Sequence, residues 1–326
     1  MDFRGELLQS NGKGKIKDVE QKAAGMIYGL ACGDALGKPT EFLSLPEIKS
    51  CYGPEGIKEL PEPALFTDDT EMTIALAEAL IEAGREDLET LMAAVSRHFV
   101  AWFKSIEPWR SPGITCIRAC QNLARGVHWR ESGISHSKGC GSVMRVTPVG
   151  FFYRRDTARM AKIAHAQGVI THGHPAAVDA CRAVSLWIKL ALENVPPCEW
   201  LDSIYHTWPE YSWSSDWETC AARYREALSW AEEEKAMDHI GQGWVAEEAA
   251  LLALYCVVRY PDDYVAVVRR GANSNGDSDS IACIAGALAG ALLGVKAIPH
   301  GWWGYIERSD YLANLALRLT EASDGV

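Results

Sequence analysis

The chain has 326 residues, 48% hydrophobic and 23% charged, which is enough apolar material for a substantial folded core and too much for a disordered chain. Its 43 Asp and Glu outnumber 32 Lys and Arg, for a formal charge of −11, and such a surface repels a phosphate backbone, which argues against nucleic acid as a partner. The N-terminal Met1-Asp2-Phe3-Arg4-Gly5-Glu6 lacks the apolar stretch of a signal peptide and no run reaches bilayer length, so the expectation is a cytoplasmic protein without a membrane partner.

Residues 1–19, with the polar and glycine-rich Ser10-Asn11-Gly12-Lys13-Gly14-Lys15, are expected to form a flexible arm ahead of a folded body spanning 20–326. The first core helix is predicted to begin near Val19 or Glu20 and to end at Gly37. It carries Gly25, Gly29 and Gly33 at intervals of four, and each internal glycine costs about 1 kcal/mol relative to alanine, a cost accepted where backbones must approach closely. Glu20, Lys22 and Asp34 flank or interrupt this stripe and rule out a membrane helix.

Thr67-Asp68-Asp69-Thr70-Glu71 opens an amphipathic helix with Met72, Leu76, Ala79, Leu80 and Ala83 on one face and Gly84 as its stop. Capping is the ordinary explanation for such acids, and Asp68 with Glu71 fits a loose capping box. Cys116 and Cys120, one turn apart, read as a core face. Arg145 follows a glycine-rich segment, where a phosphate contact and a surface ion pair are equally plausible readings. His172 and His174 lack a further ligand at zinc spacing and read as loop or substrate contacts. The stretch with Trp200, Trp208, Trp213 and Trp217 reads first as core packing, and helix boundaries between 190 and 240 are poorly marked.

Near the C-terminus, Asn275-Gly276-Asp277-Ser278-Asp279-Ser280 again places carboxylates and hydroxyls at a helix entrance, and Gly286, Gly290 and Gly294 repeat the small-residue stripe. The two stripes are expected to pack on each other or on a shared central helix. Four aspartates brought together would repel one another unless a hard cation lay between them, and oxygen donors point to Mg²⁺ or Mn²⁺. Ten cysteines without a CxxC pair, among them Cys32, Cys181, Cys256 and Cys283 in apolar stretches, read as reduced core thiols.

Taken in order, Gly33-Asp34-Ala35-Leu36-Gly37 with Glu41-Phe42, Phe66 to Thr70, Ser111 to Cys116, Gly139 to Arg145, Thr171 to Pro175, Gly241 to Glu248 and Gly276 to Ser280 resemble the bacterial ADP-ribosylglycohydrolases. The resemblance covers about residue 20 to about 295. It implies an all-α fold, a single compact multi-helix domain around a central binuclear magnesium cleft. Carried over by position, the metal ligands are Thr67, Asp68, Asp69, Asp277, Asp279 and Ser280, the last standing where many members have threonine. Glu41 falls beside the metals, and Gly139, Gly141, Ser142, Met144, Arg145, His172 and Trp244 fall on the ADP-ribose cleft. Near Ser111 the chain lacks an aspartate that other members carry.

The resemblance further implies Mg²⁺-dependent hydrolysis that frees ADP-ribose from a modified protein, most readily at arginine, with Asp69 activating water and Asp279 or Glu41 as rivals for that role. Glycine amides near Ser142 would bind the pyrophosphate. Two other functions are open. One is an immunity or inhibitor protein whose residues 1–19 bind an ADP-ribosyltransferase toxin, alone or beside the hydrolase activity. The other is a scaffold without catalysis, against which the retained aspartates argue.

Overall fold

The computed structural model describes residues 17–326. Lys17 is the N-cap of the first helix, and its amide donates to Glu20 Oε2 at 2.9 Å, so Asp18 and Val19 are already helical. The first helix therefore starts at Asp18, just ahead of the expected start near Val19 or Glu20. Residues 1–16, most of the expected arm, and any transferase contact made by them lie outside the described residues.

Among the described residues the regular structure is helical, and the β contacts are isolated bridges, Ile134 with His172 and Gly139 with Val245. Seven helices of fourteen residues or more frame the molecule: α1 (Asp18–Gly37), α2 (Asp68–Ala83), α3 (Leu88–Ser105), α4 (Pro175–Leu192), α5 (Ala246–Arg259), α6 (Ser278–Leu293) and α7 (Ser309–Ser323). The apolar α6 is central, packing on α1, α4, α5 and the helix Tyr264–Ala272, while α7 packs on α1 and α2. One core of buried apolar side chains runs through all seven.

The two glycine stripes meet face to face. A Cβ at Gly25 would clash with the carbonyl of Gly290, one at Gly29 with Gly286, one at Gly33 with Ala282 and one at Gly37 with the backbone of Ser278 and Asp279. Only residues without or with minimal side chains permit this approach. Its antiparallel register has a functional consequence, because it delivers the C-terminal end of α1 to the N-terminal end of α6. Gly294, at φ +75°, ends α6 and still lies against Gly25.

Residues 190–240 form three shorter helices, Trp200–Thr207, Ser215–Ala227 and Glu233–Ile240. Trp200 and Trp217 are buried, Trp208 and Trp213 pack against the core, and the tilted rings of Trp213 and Trp217 lie 5.3 Å apart between centres. All ten cysteines are free, and seven are buried. No helix among the described residues is long and apolar enough to cross a membrane.

Candidate metal centre and binding cleft

Beyond Gly37 the chain makes a 3₁₀ turn, Lys38–Thr40, in which Thr40 Oγ1 lies 2.7 Å from the carbonyls of Gly37 and Ala272 and 3.0 Å from Ser278 Oγ. The next two residues are thereby fixed against the entrance of α6. Phe42, at φ +66°, donates its amide to the carbonyl of Gly276 at 3.2 Å. Glu41 is left with a carboxylate oxygen that lies, with one each from Asp277 and Asp279, in a group whose members are all within 4.8 Å of one another.

The entrance of α2 supplies the second half. Thr67 is its N-cap, accepting from the Asp69 amide at 3.3 Å. Asp34, buried in α1, accepts from the amides of Thr67 (2.9 Å) and Thr70 (3.0 Å) and from Thr70 Oγ1 (2.5 Å). With Thr67 and Asp34 taking these amides, Asp68 and Asp69 are free of capping duty and line the cleft. The expected Asp68–Glu71 capping box does not form. Glu71 instead makes an ion pair with Arg110 Nε at 3.0 Å.

These acids form the floor of a cavity of about 410 Å³. Glu41, Asp68, Asp69, Asp277, Asp279 and Ser280 line it below, Gly139, Cys140, Gly141, Met144 and His172 line one wall, and Ser111 to Cys116 the other. Phe42 and Trp244, stacked at 5.2 Å between ring centres, stand exposed at its mouth. Thr67 is fully buried and Ser142 lies behind the wall, so neither faces the cavity.

Burial and crowding of like charges dominate the electrostatics. Burial, then the neighbouring Asp277, pushes Glu41 up to about 8. Asp34 rises to about 6, because burial outweighs its hydrogen bonds. Burial first, then neighbouring carboxylates, holds Asp69 and Asp279 well above the usual carboxylate range; Asp68 is raised in the same direction, mainly by burial. Asp277 is also raised by burial. A centre of this kind must hold either protons or a cation. A divalent ion fits, because Asp69 Oδ2 is buried without a hydrogen-bond partner among the described residues and the donors are hard oxygens.

Arg145 departs from the expected substrate contact. Its guanidinium is fully buried and donates to Gly141 O (2.8 Å), Gln167 O (2.7 Å), Gln167 Oε1 (3.1 Å) and Thr171 Oγ1 (2.7 Å). It holds the glycine turn and the Thr171-His172 segment from behind and does not reach the cavity. His172 does reach it, with Nδ1 2.8 Å from Thr171 Oγ1, and burial, aided by Arg145, lowers the imidazole to about 3 and keeps it neutral. His174 caps α4 by accepting from Ala176 N at 3.2 Å, so the two histidines do not form a metal pair.

Three residues have roles that the sequence motifs left unassigned. Asp34 is legible only as a carboxylate inside a small-residue helix, which demands donors. Arg110, buried, donates to Phe66 O at 2.8 Å and pairs with Glu307 at 2.6 Å, fixing the peptide that precedes Thr67. Cys140 donates its thiol to Asp277 Oδ2 at 2.8 Å.

Comparison with known proteins agrees with this geometry. The profile described as ADP-ribosylglycohydrolase matches residues 16–326. An uncharacterized protein of Archaeoglobus fulgidus is 32% identical, over 93% of this chain and 97% of its own. ADP-ribosylarginine hydrolase Tri1 of Serratia proteamaculans is 27% identical over 91% of this chain and 78% of its own, and the ADP-ribosyl-[dinitrogen reductase] glycohydrolase of Rhodospirillum rubrum is 28% identical over 87% and 90%. A solved structure titled ADP-ribosylglycohydrolase-related protein complex superposes with a TM-score of 0.71 at 25% identity, over 94% of this chain and 100% of that one. With a profile match over nearly its whole length and the acidic cleft in place, the chain belongs to the ADP-ribosylglycohydrolase family and is a hydrolase of glycosidic bonds.

Proposed function

We propose that this protein releases ADP-ribose from modified arginine side chains of proteins, using two Mg²⁺ ions for which Mn²⁺ can substitute. The observation that carries the proposal is the convergence of Asp68 and Asp69 from α2 with Asp277 and Asp279 from α6 around the unpartnered Asp69 Oδ2. The arginine linkage is supported by the similarity to proteins named for that bond.

Asp68, Asp69, Asp277, Asp279 and Ser280 would hold the ions, and Thr67 shapes the turn that presents the first two. Ions bound there would supply positive charge for ribose hydroxyls and for an activated water. The chain's own groups do the rest. Asp69 accepts the proton of the attacking water, while Asp279 and Glu41 face the positive charge that builds on the ribose ring. The amides of Gly139 and Gly141 receive the pyrophosphate, Met144 and His172 pack beside it, and Trp244 closes the mouth. Ser142 and Arg145 act through that turn rather than on substrate.

The test is to incubate an arginine-ADP-ribosylated protein with the enzyme, with Mg²⁺ or with chelator, and to follow free ADP-ribose. Release is expected with Mg²⁺ alone, and the Asp68→Ala/Asp69→Ala double variant should lose it while keeping its helical circular dichroism. Undiminished release in chelator, or by that variant, refutes the proposal.

A further inference from the structure

Two loops meet at Cys140. The glycine turn is tied to the cleft rim by the Cys140 amide on Trp244 O (3.2 Å) and by the Ala246 amide on Lys138 O (2.8 Å). The loop that leads into α6 is tied by the Asp277 amide on Gln242 O (2.9 Å). Between them the Cys140 thiol donates to Asp277 Oδ2 at 2.8 Å and lies 3.7 Å from Ser280 Oγ, which donates to it. On the same cavity floor, Asp69 Oδ2 is buried and lacks a hydrogen-bond donor among the described residues. One carboxylate oxygen at this floor is thus engaged by the chain itself while another is left for a cation.

We propose that Cys140 is a positioning residue for the metal centre, holding one Asp277 oxygen so that the other faces the ion, and thereby coupling the glycine turn to the metal loop. The inference rests on the metal-centre reading above. A carboxylate ligand binds an ion through one oxygen most favourably when a donor fixes the other, and loss of such outer donors typically weakens metal binding about 10- to 100-fold. A thiol suits this task in an acidic centre, because it donates a hydrogen bond without adding charge.

Mn²⁺ titration followed by the electron paramagnetic resonance of the free ion tests this without recourse to activity. Cys140→Ala should weaken Mn²⁺ binding about 10- to 100-fold, Cys140→Ser should restore it by supplying an O–H donor, and both should melt like the wild type. In an Asp277→Ala background, Cys140→Ala should have no further effect, since the two side chains act as one unit. Wild-type affinity in Cys140→Ala, failure of Cys140→Ser to restore binding, or additive losses with Asp277→Ala each overturn the role of Cys140. A wild-type protein that takes up no Mn²⁺ overturns the metal-centre reading, and this inference with it.

Discussion

Asp34 illustrates how a single buried carboxylate can serve a site without entering it. Both of its oxygens accept from the entrance of α2, so an isosteric amide would point its own NH₂ at a backbone donor. Asp34→Asn is therefore expected to lower stability by about 3 kcal/mol in urea unfolding, with wild-type stability as the contrary result. The raised carboxyls make a second prediction. Their unfolded counterparts ionise near pH 4 while the folded ones retain protons, so the folded state binds more protons in this window and stability falls as pH rises. With the ion chelated, the melting temperature should decline as pH rises from about 5 and should still be falling near pH 8, where Glu41, pushed up to about 8, loses its proton. Mg²⁺ or Mn²⁺ should reverse the decline, and a flat profile under both conditions would contradict the crowding of acids. Asp68, Asp69, Asp277 and Asp279 were legible because two acidic helix entrances in one chain need a common reason. Arg145 was not, because a glycine-rich neighbour says nothing about direction, and Gln167 and Thr171, which turn it inward, lie more than twenty residues away.

Among the elements, the pairing of α1 with α6 does most to build the site. The four-residue spacing of glycines was readable as a demand for close approach, and the choice between mutual packing and a shared partner is resolved in favour of mutual packing. Since a Cβ at Gly29 meets the Gly286 carbonyl, Gly29→Ala should cost about 1–3 kcal/mol and weaken ion binding by shifting Asp34 and Glu41 against Asp277 and Asp279. Gly301→Ala, where nothing among the described residues lies within 4 Å of the new atom, is the matched control and should leave both unchanged. Equal melting temperatures for the two variants would remove the close approach as the cause. The helices between 190 and 240 resisted a reading by periodicity for a physical reason. They are anchored by ring contacts such as Trp213 on Trp217 and by Asp179, which accepts from Tyr211 OH at 2.6 Å and Ser214 N at 2.8 Å, none of which leaves a regular apolar spacing.

At the scale of the whole molecule, the chain brings segments more than two hundred residues apart to one cavity, and the central α6 is what joins them. An ion held at that junction binds the folded state and not the unfolded chain, so the protein should gain thermal stability with increasing Mg²⁺. Such a gain in the wild type, and its absence in Asp279→Ala, would tie the global fold to the local centre. The excess of acid over base, −11 in all, also favours divalent cations in the surrounding solution over phosphate polymers. The most direct measurement is the anomalous scattering of Mn²⁺ in crystals grown with that ion. The expected result is a peak within bonding distance, about 2.2 Å, of carboxylate oxygens from both Asp69 and Asp279. A cleft without anomalous density at saturating Mn²⁺, or a peak touching only one of the two helix entrances, would contradict a shared centre.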